Sequence, residues 1–190
     1  MDGLLQWDEQ LLLAINGSHT SWLDVVMVTV SNRWVWVPLY VLLAGLIYWK
    51  RGGGELLWAL IVAIPVFLIA DQFASGFLKP LVARPRPCHE PHLQAILWNA
   101  GAKCGGPFGF ASSHASNFFA LATYLGWLLR GKVRFIWLIL IVVAVVVSIS
   151  RIYLGVHYPT DVVAGALIGI AAGVLGIVLF RLVTRRLLSK

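Results

Sequence analysis

Five long apolar runs, broken by short polar stretches, dominate this chain: approximately 33–49, 56–78, 113–129, 135–149 and 162–183. A helix crosses hydrocarbon in about 20 residues, and inside the bilayer every backbone polar group has to be paired within the protein. The pattern predicts an all-α integral membrane protein, a bundle of about five transmembrane helices forming one domain over 1–190. The apolar piece 22–30 precedes the first run as a separate or kinked helix near Ser31-Asn32, and a sixth crossing there would be cramped. Further upstream, Leu4, Leu5, Leu11, Leu12 and Ile15 recur at helical spacing among Asp2, Asp8 and Glu9. That spacing predicts an amphipathic helix along the membrane surface. Residues 1–32 are therefore expected as an interfacial segment and 33–183 as the bundle. Residues 1–20 lack a basic start followed by an apolar run, so no cleaved signal is expected.

Composition agrees: 59% of the 190 residues are hydrophobic, against roughly half in soluble proteins. The formal charge of +7 could suggest nucleic-acid binding, but its placement argues otherwise. Nine of the fifteen basic residues fall in three groups: Lys50 and Arg51; Arg130, Lys132 and Arg134; Arg181, Arg185, Arg186 and Lys190. Each group ends or joins apolar runs, as the positive-inside rule expects of cytoplasmic loops. The connections alternate accordingly. Tight basic turns contrast with a long Pro- and Gly-rich loop at 79–111, which is expected on the outer face with the polar stretch 150–161, the C-terminus lying inside.

Charged residues beside apolar runs are costly and invite a functional reading. Lys79 and Arg86 would bring two cations to one rim; snorkelling to headgroups is the ordinary alternative. Ser112, Ser113 and His114 open the third run, where a helix N-terminus offers hydroxyls and free backbone N–H groups to an anion. A plain N-cap is the simpler account. Arg151, His157 and Asp161 lie between the fourth and fifth runs, with Pro159 in the first turn of the last helix. Each position has a bland explanation alone, yet three separate segments deliver cations, imidazoles, hydroxyls and a carboxylate to one membrane face.

At these residues the chain resembles the type 2 phosphatidic-acid phosphatase (PAP2) family of membrane lipid phosphatases. Lys79 through Arg86-Pro87 matches the family's Lys, six residues, Arg-Pro. Ser150-Arg151, His157 and Asp161 match its Ser-Arg, five residues, His, three residues, Asp. The intervening Pro-Ser-Gly-His appears as Ala111-Ser112-Ser113-His114, so the entry to the third helix loses the Pro and gains a side chain in place of the Gly.

The resemblance implies a phosphoric-ester or diphosphate hydrolase with a phosphohistidine intermediate. His157 would be the nucleophile, Asp161 its orienting carboxylate, and His114 the acid and then the base. Lys79, Arg86, Ser112, Ser113 and Arg151 would bind the phosphate. No cofactor or metal is implied, and His89, Glu90 and His92 read as loop residues that meet the headgroup. Cys88 and Cys104 lie in the loop beginning at Arg86, where an outer location permits a disulfide; two free thiols are the alternative. The expected partners are the bilayer and a lipid phosphate, with no nucleic acid and no obligate protein partner. The expected setting is a bacterial plasma membrane with the site outside. Among family substrates undecaprenyl diphosphate is the first choice, with lipid A and phosphatidylglycerol phosphate close behind. A lipid phosphotransferase, or a non-catalytic lipid-phosphate binding or transport protein, are the alternatives.

Overall fold

Helices form wherever the apolar runs allow, and no strand is present among the described residues. The computed structural model describes residues 2–188, with side chains over 3–185, so Lys190 and the Arg186 side chain of the basic C-terminal group lie outside the described residues. In order, the helices are α1 (Asp2–Asn16), α2 (Ser21–Ser31), α3 (Val37–Arg51), α4 (Gly53–Gln72), α5 (Lys79–Val82), α6 (Pro91–Gln94), α7 (Ser113–Leu129), α8 (Ile136–Tyr153) and α9 (Pro159–Leu188). Three stretches are long and apolar enough to cross a membrane alone: Gly53–Val82, Ile136–Tyr153 and Pro159–Arg185. α3 and α7, with 15 and 17 residues, complete the five-helix bundle.

α7 is the central helix. Its buried positions include Ala115, Ser116, Phe118, Ala120, Leu121 and Tyr124, which lie around the whole helix and not along one stripe, the mark of an element enclosed by neighbours. α9 reaches it through small residues. A side chain at Gly165 or Gly169 would overlap the carbonyl oxygens of Ser112 and Ser116, and one at Gly173 would meet Thr123. Lipid offers no hydrophobic drive between helices, so close backbone approach and polar contacts hold the bundle. Ser116 donates to the Ala70 carbonyl (2.9 Å) and Tyr124 to the Ala59 carbonyl (3.1 Å), both buried, which joins α7 to α4. Each such bond contributes about 0.6–2 kcal/mol in a membrane. At the far end of α7 the Arg51 Nε donates to the Leu128 carbonyl (2.6 Å) and the same guanidinium pairs with Glu55 (2.6 Å).

The second span runs past the apolar stretch at 56–78. A proline inside a helix ordinarily interrupts it, yet the helical path continues through Pro80 to Val82. The reason is a π-helical segment, Phe73–Leu78, between α4 and α5. Its wider turn reorganises the hydrogen-bond ladder just where the Pro80 ring and its missing N–H would interrupt it. The helix stops instead at Ala83, which takes a left-handed conformation (φ 49°).

α1 and α2 are separate helices bent by 116°. α1 leaves Leu4, Leu5 and Trp7 exposed, an apolar face suited to lipid, but turns Asp8 and Asn16 inward to full burial beside Leu12. Asn16 Nδ2 donates to the carbonyls of Trp98 (2.5 Å) and Tyr153 (2.6 Å) and its Oδ1 accepts from the Trp98 N–H (2.9 Å). Asp24 of α2 accepts from the Tyr153 hydroxyl (2.5 Å) and the Trp98 indole (3.0 Å). The N-terminal helices are thereby bound to the 79–111 loop and the end of α8.

Candidate active site

Three elements converge beyond the N-terminus of α7. The 79–111 segment supplies Lys79, Arg84 and Arg86, α7 supplies Ser113 and His114 with Ser112 as its N-cap, and the α8–α9 junction supplies Arg151, His157 and Asp161. The loop is held by its own backbone: Arg86 N–H donates to the Pro107 carbonyl (3.0 Å) and Gly109 N–H to the Arg84 carbonyl (2.9 Å). A disulfide joins Cys88 to Cys104 (Cα–Cα 6.1 Å). It closes the loop between Arg86 and the Gly106 carbonyl, which accepts from Arg86 Nε (2.8 Å). Nearby, His89 faces the Gly105 carbonyl (3.3 Å) and His92 faces Glu9 of α1 (3.2 Å).

His157 is buried, 1% exposed, and its two ring nitrogens meet opposite partners. Nδ1 lies 3.3 Å from Asp161 Oδ2, a carboxylate that can only accept. Nε2 lies 3.2 Å from Arg86 Nη1, a guanidinium that can only donate. The arrangement therefore requires the proton on Nδ1 and a free lone pair on Nε2. Burial, and then the charges of Arg86, Arg151 and Lys79, push the His157 pKa well below the ordinary imidazole value, opposed only weakly by the Gly109 carbonyl. At neutral pH the ring is uncharged, with the Nε2 lone pair available.

Asp161 is fully buried and each of its oxygens is occupied. Oδ2 accepts from the Tyr158 N–H (3.1 Å) as well as facing His157, and Oδ1 accepts from Arg84 (3.2 Å). Its carbonyl accepts the Ser112 N–H (2.9 Å), which ties the cap of α7 to the first turn of α9. His114, one turn into α7, lies within electrostatic reach of Arg151, His157 and Lys79. Arg151 bonds through Nη1 to the Ser31 hydroxyl at the end of α2, while its buried Nε has no partner among the described residues. Desolvation lowers the Arg86 pKa, with Asp161 opposing; a guanidinium stays charged regardless. All eight phosphate-binding and catalytic candidates named from the sequence thus gather at one end of the bundle.

Sequence reasoning missed Arg84, Asp8, Thr160 and Ser31. The motif spacing points to Arg86 and passes over Arg84 two residues earlier, and Asp8 reads as an ordinary polar position of a surface helix. Asp71 lies inside the second span, where lipid exposure of a carboxylate would be costly. It is half-buried, accepts from Asn117 Nδ2 (3.1 Å) and lines, with Tyr40, Phe67, Leu121 and Leu125, a cavity of about 780 Å³ between α3, α4 and α7.

The PAP2 superfamily profile matches residues 56–185. A lipid A 4'-phosphatase of Bacteroides thetaiotaomicron is 38% identical, covering 96% of this chain and 80% of that protein. One of Porphyromonas gingivalis is 34% identical, covering 91% and 72%. The crystal structure of a transmembrane PAP2 type phosphatidylglycerolphosphate phosphatase from Bacillus subtilis superimposes with a TM-score of 0.68 at 25% identity, covering 93% of this chain and 85% of that one. A profile match over most of the bundle, together with two relatives above 30% identity along nearly the whole chain, establishes that the protein belongs to the PAP2 superfamily and is a membrane lipid phosphatase.

Proposed function

We propose that the protein hydrolyses a phosphate monoester on a lipid A-type glycolipid at the outer leaflet, with His157 as nucleophile. The observation that carries this reading is the environment of His157: an acceptor on Nδ1, a donor on Nε2, and three cations around a neutral ring. His157 Nε2 attacks phosphorus as the bond to the sugar oxygen breaks, and His114 protonates that oxygen. Asp161 stabilises the imidazolium character that develops. Water then attacks the phosphohistidine, its proton passing to His114, and inorganic phosphate leaves. Lys79, Arg86, Ser112, Arg151 and the Ser113 N–H bind the non-bridging oxygens, and such preorganised charge is commonly the largest catalytic contribution. The partnerless Arg151 Nε is a buried donor of the kind a phosphate oxygen satisfies.

The choice of lipid rests on the relatives. Undecaprenyl diphosphate, the first choice from sequence, gives way to lipid A because two relatives at 34% and 38% identity act, by name, on the lipid A 4'-phosphate, whereas an undecaprenyl-diphosphatase matches at 27%. The basic turns at Arg51 and at 130–134 support the outward orientation of the opposite end. The test is phosphate release from lipid A, undecaprenyl diphosphate and phosphatidylglycerol phosphate, with purified wild type and His157→Ala in detergent micelles. Wild type is expected to release inorganic phosphate fastest from lipid A, and His157→Ala to release none. Equal turnover by His157→Ala would remove the nucleophile, and faster release from undecaprenyl diphosphate would remove the substrate assignment.

A further inference from the structure

Asp161 does not stand alone behind His157. Its Oδ1 receives Arg84 Nη1 at 3.2 Å, and Arg84 Nη2 in turn donates to Asp8 Oδ2 at 2.7 Å. Asp8 is fully buried although it belongs to the N-terminal helix, and its other oxygen accepts the Thr160 N–H (2.9 Å). Thr160 Oγ1 bonds to Asp8 Oδ2 (2.5 Å) and accepts from Arg84 Nη1 (2.7 Å). The guanidinium also lies over the Tyr158 ring, 3.8 Å from its centroid. Arg84 is thus fixed on two carboxylates, a hydroxyl and an aromatic face at once, with only 18% of its side chain exposed.

From this geometry we infer that Arg84 and Asp8 are positioning residues for the phosphoryl-transfer step, acting on His157 through Asp161. The charges explain why both are needed. Arg84 alone beside Asp161 would form a neutral pair, with little left to stabilise an imidazole that becomes positive when it is phosphorylated. Asp8 restores the deficit: two carboxylates and one guanidinium carry a net negative charge, delivered to His157 through Oδ2. Arg84 also occupies Oδ1, so the carboxylate cannot rotate away from Nδ1. The device spans three segments, because Asp8 comes from α1, Arg84 from the loop and Asp161 from α9. Docking of the N-terminal helix is thereby part of the charge balance of the nucleophile. The inference rests on the assignment of His157 as nucleophile, and His157→Ala tests that assignment separately.

The experiment is steady-state kinetics on lipid A with Arg84→Ala, Arg84→Lys and Asp8→Asn, each alone and on an Asp161→Asn background. Loss of a hydrogen bond between charged groups predicts a fall in kcat of about 10- to 100-fold for Arg84→Ala and Asp8→Asn, with KM changed less than about threefold. Arg84→Lys keeps the charge without the fork and is expected to recover part of kcat. On the Asp161→Asn background each further change should cost less than about threefold, because the residue it acts through has already been altered. A purely architectural staple behaves differently: its loss lowers thermal stability and multiplies with Asp161→Asn. Wild-type kcat in Arg84→Ala, full additivity of the losses, or an effect confined to KM would each overturn the inference. Should Arg84→Ala fail to fold, Asp8→Asn and Arg84→Lys read the same cycle.

Discussion

Gly109 separates Arg86 from Asp161, and the space for its missing side chain measures how tightly the site is built. A Cβ at this position would stand 2.8 Å from Asp161 Oδ2, 3.4 Å from Arg86 Cγ and 3.7 Å from Arg86 Cα. The loop cannot back away, because Gly109 N–H is bonded to the Arg84 carbonyl and a bridge pairs Pro85 with Phe108. The carboxylate cannot turn aside either, since Tyr158, His157 and Arg84 all hold it. Gly109→Ala therefore has to displace the Asp161–His157 pair by roughly 0.5 Å, and because a 1 Å misplacement can cost about 100-fold, a loss of about tenfold in kcat is expected. Gly109 is itself buried, so the added methyl also strains the packing there and the melting temperature in detergent should fall together with kcat. Gly45→Ala on α3, where a Cβ meets nothing within 4 Å, serves as the control and should retain wild-type kinetics. Phosphate release from lipid A, measured for kcat and KM together with the melting temperature, decides the matter. Unchanged kcat in Gly109→Ala would refute the claim that this contact fixes the proposed nucleophile.

Two further outcomes follow from the electrostatics and the loop. His157 carries a pKa held well below its ordinary value by burial and three cations, so the proposed nucleophile stays neutral as pH falls through about 6.5; the acid limb of kcat/KM should lie below that value, and a midpoint at or above it would contradict the burial argument. The Cys88–Cys104 bridge closes a loop with a separation of 16 residues, worth about 3 kcal/mol in the chain-entropy view. The Cys88→Ala, Cys104→Ala double variant should melt at lower temperature and show a raised KM as Arg86 loses its frame, and an unchanged KM would detach the bridge from phosphate binding.

Much of this architecture is legible in the residues, for physical reasons that also mark where reading stops. Hydrocarbon imposes length and apolarity on a crossing helix, so the runs at 113–129, 135–149 and 162–183 correspond closely to α7, α8 and α9. The candidate site residues are legible because Lys79, Arg86, His114, Arg151, His157 and Asp161 are costly beside such runs and keep the spacing of the family motifs. Asp8 and Arg84 were not legible: burial of an acid on an amphipathic helix depends on a cation delivered from a distant loop, which no local periodicity encodes. Pro80 is illegible for the opposite reason. Local rules say that it breaks a helix, whereas the π-helical turn at Phe73–Leu78 absorbs it through a hydrogen-bond register that sequence does not display.

The glycine seam between α7 and α9 has a consequence for chemistry as well as packing. His114 rides on α7, while His157 and Asp161 stand at the start of α9, and main-chain atoms at Gly165 and Gly169 meet those of Ser112 and Ser116 without an intervening side chain. The gap between the proposed acid and the proposed nucleophile is therefore gauged by two abutting backbones, which have no rotamers to change. Lipids of different size can be accommodated by reshaping the loop or the flanking helices while this ruler stays the same.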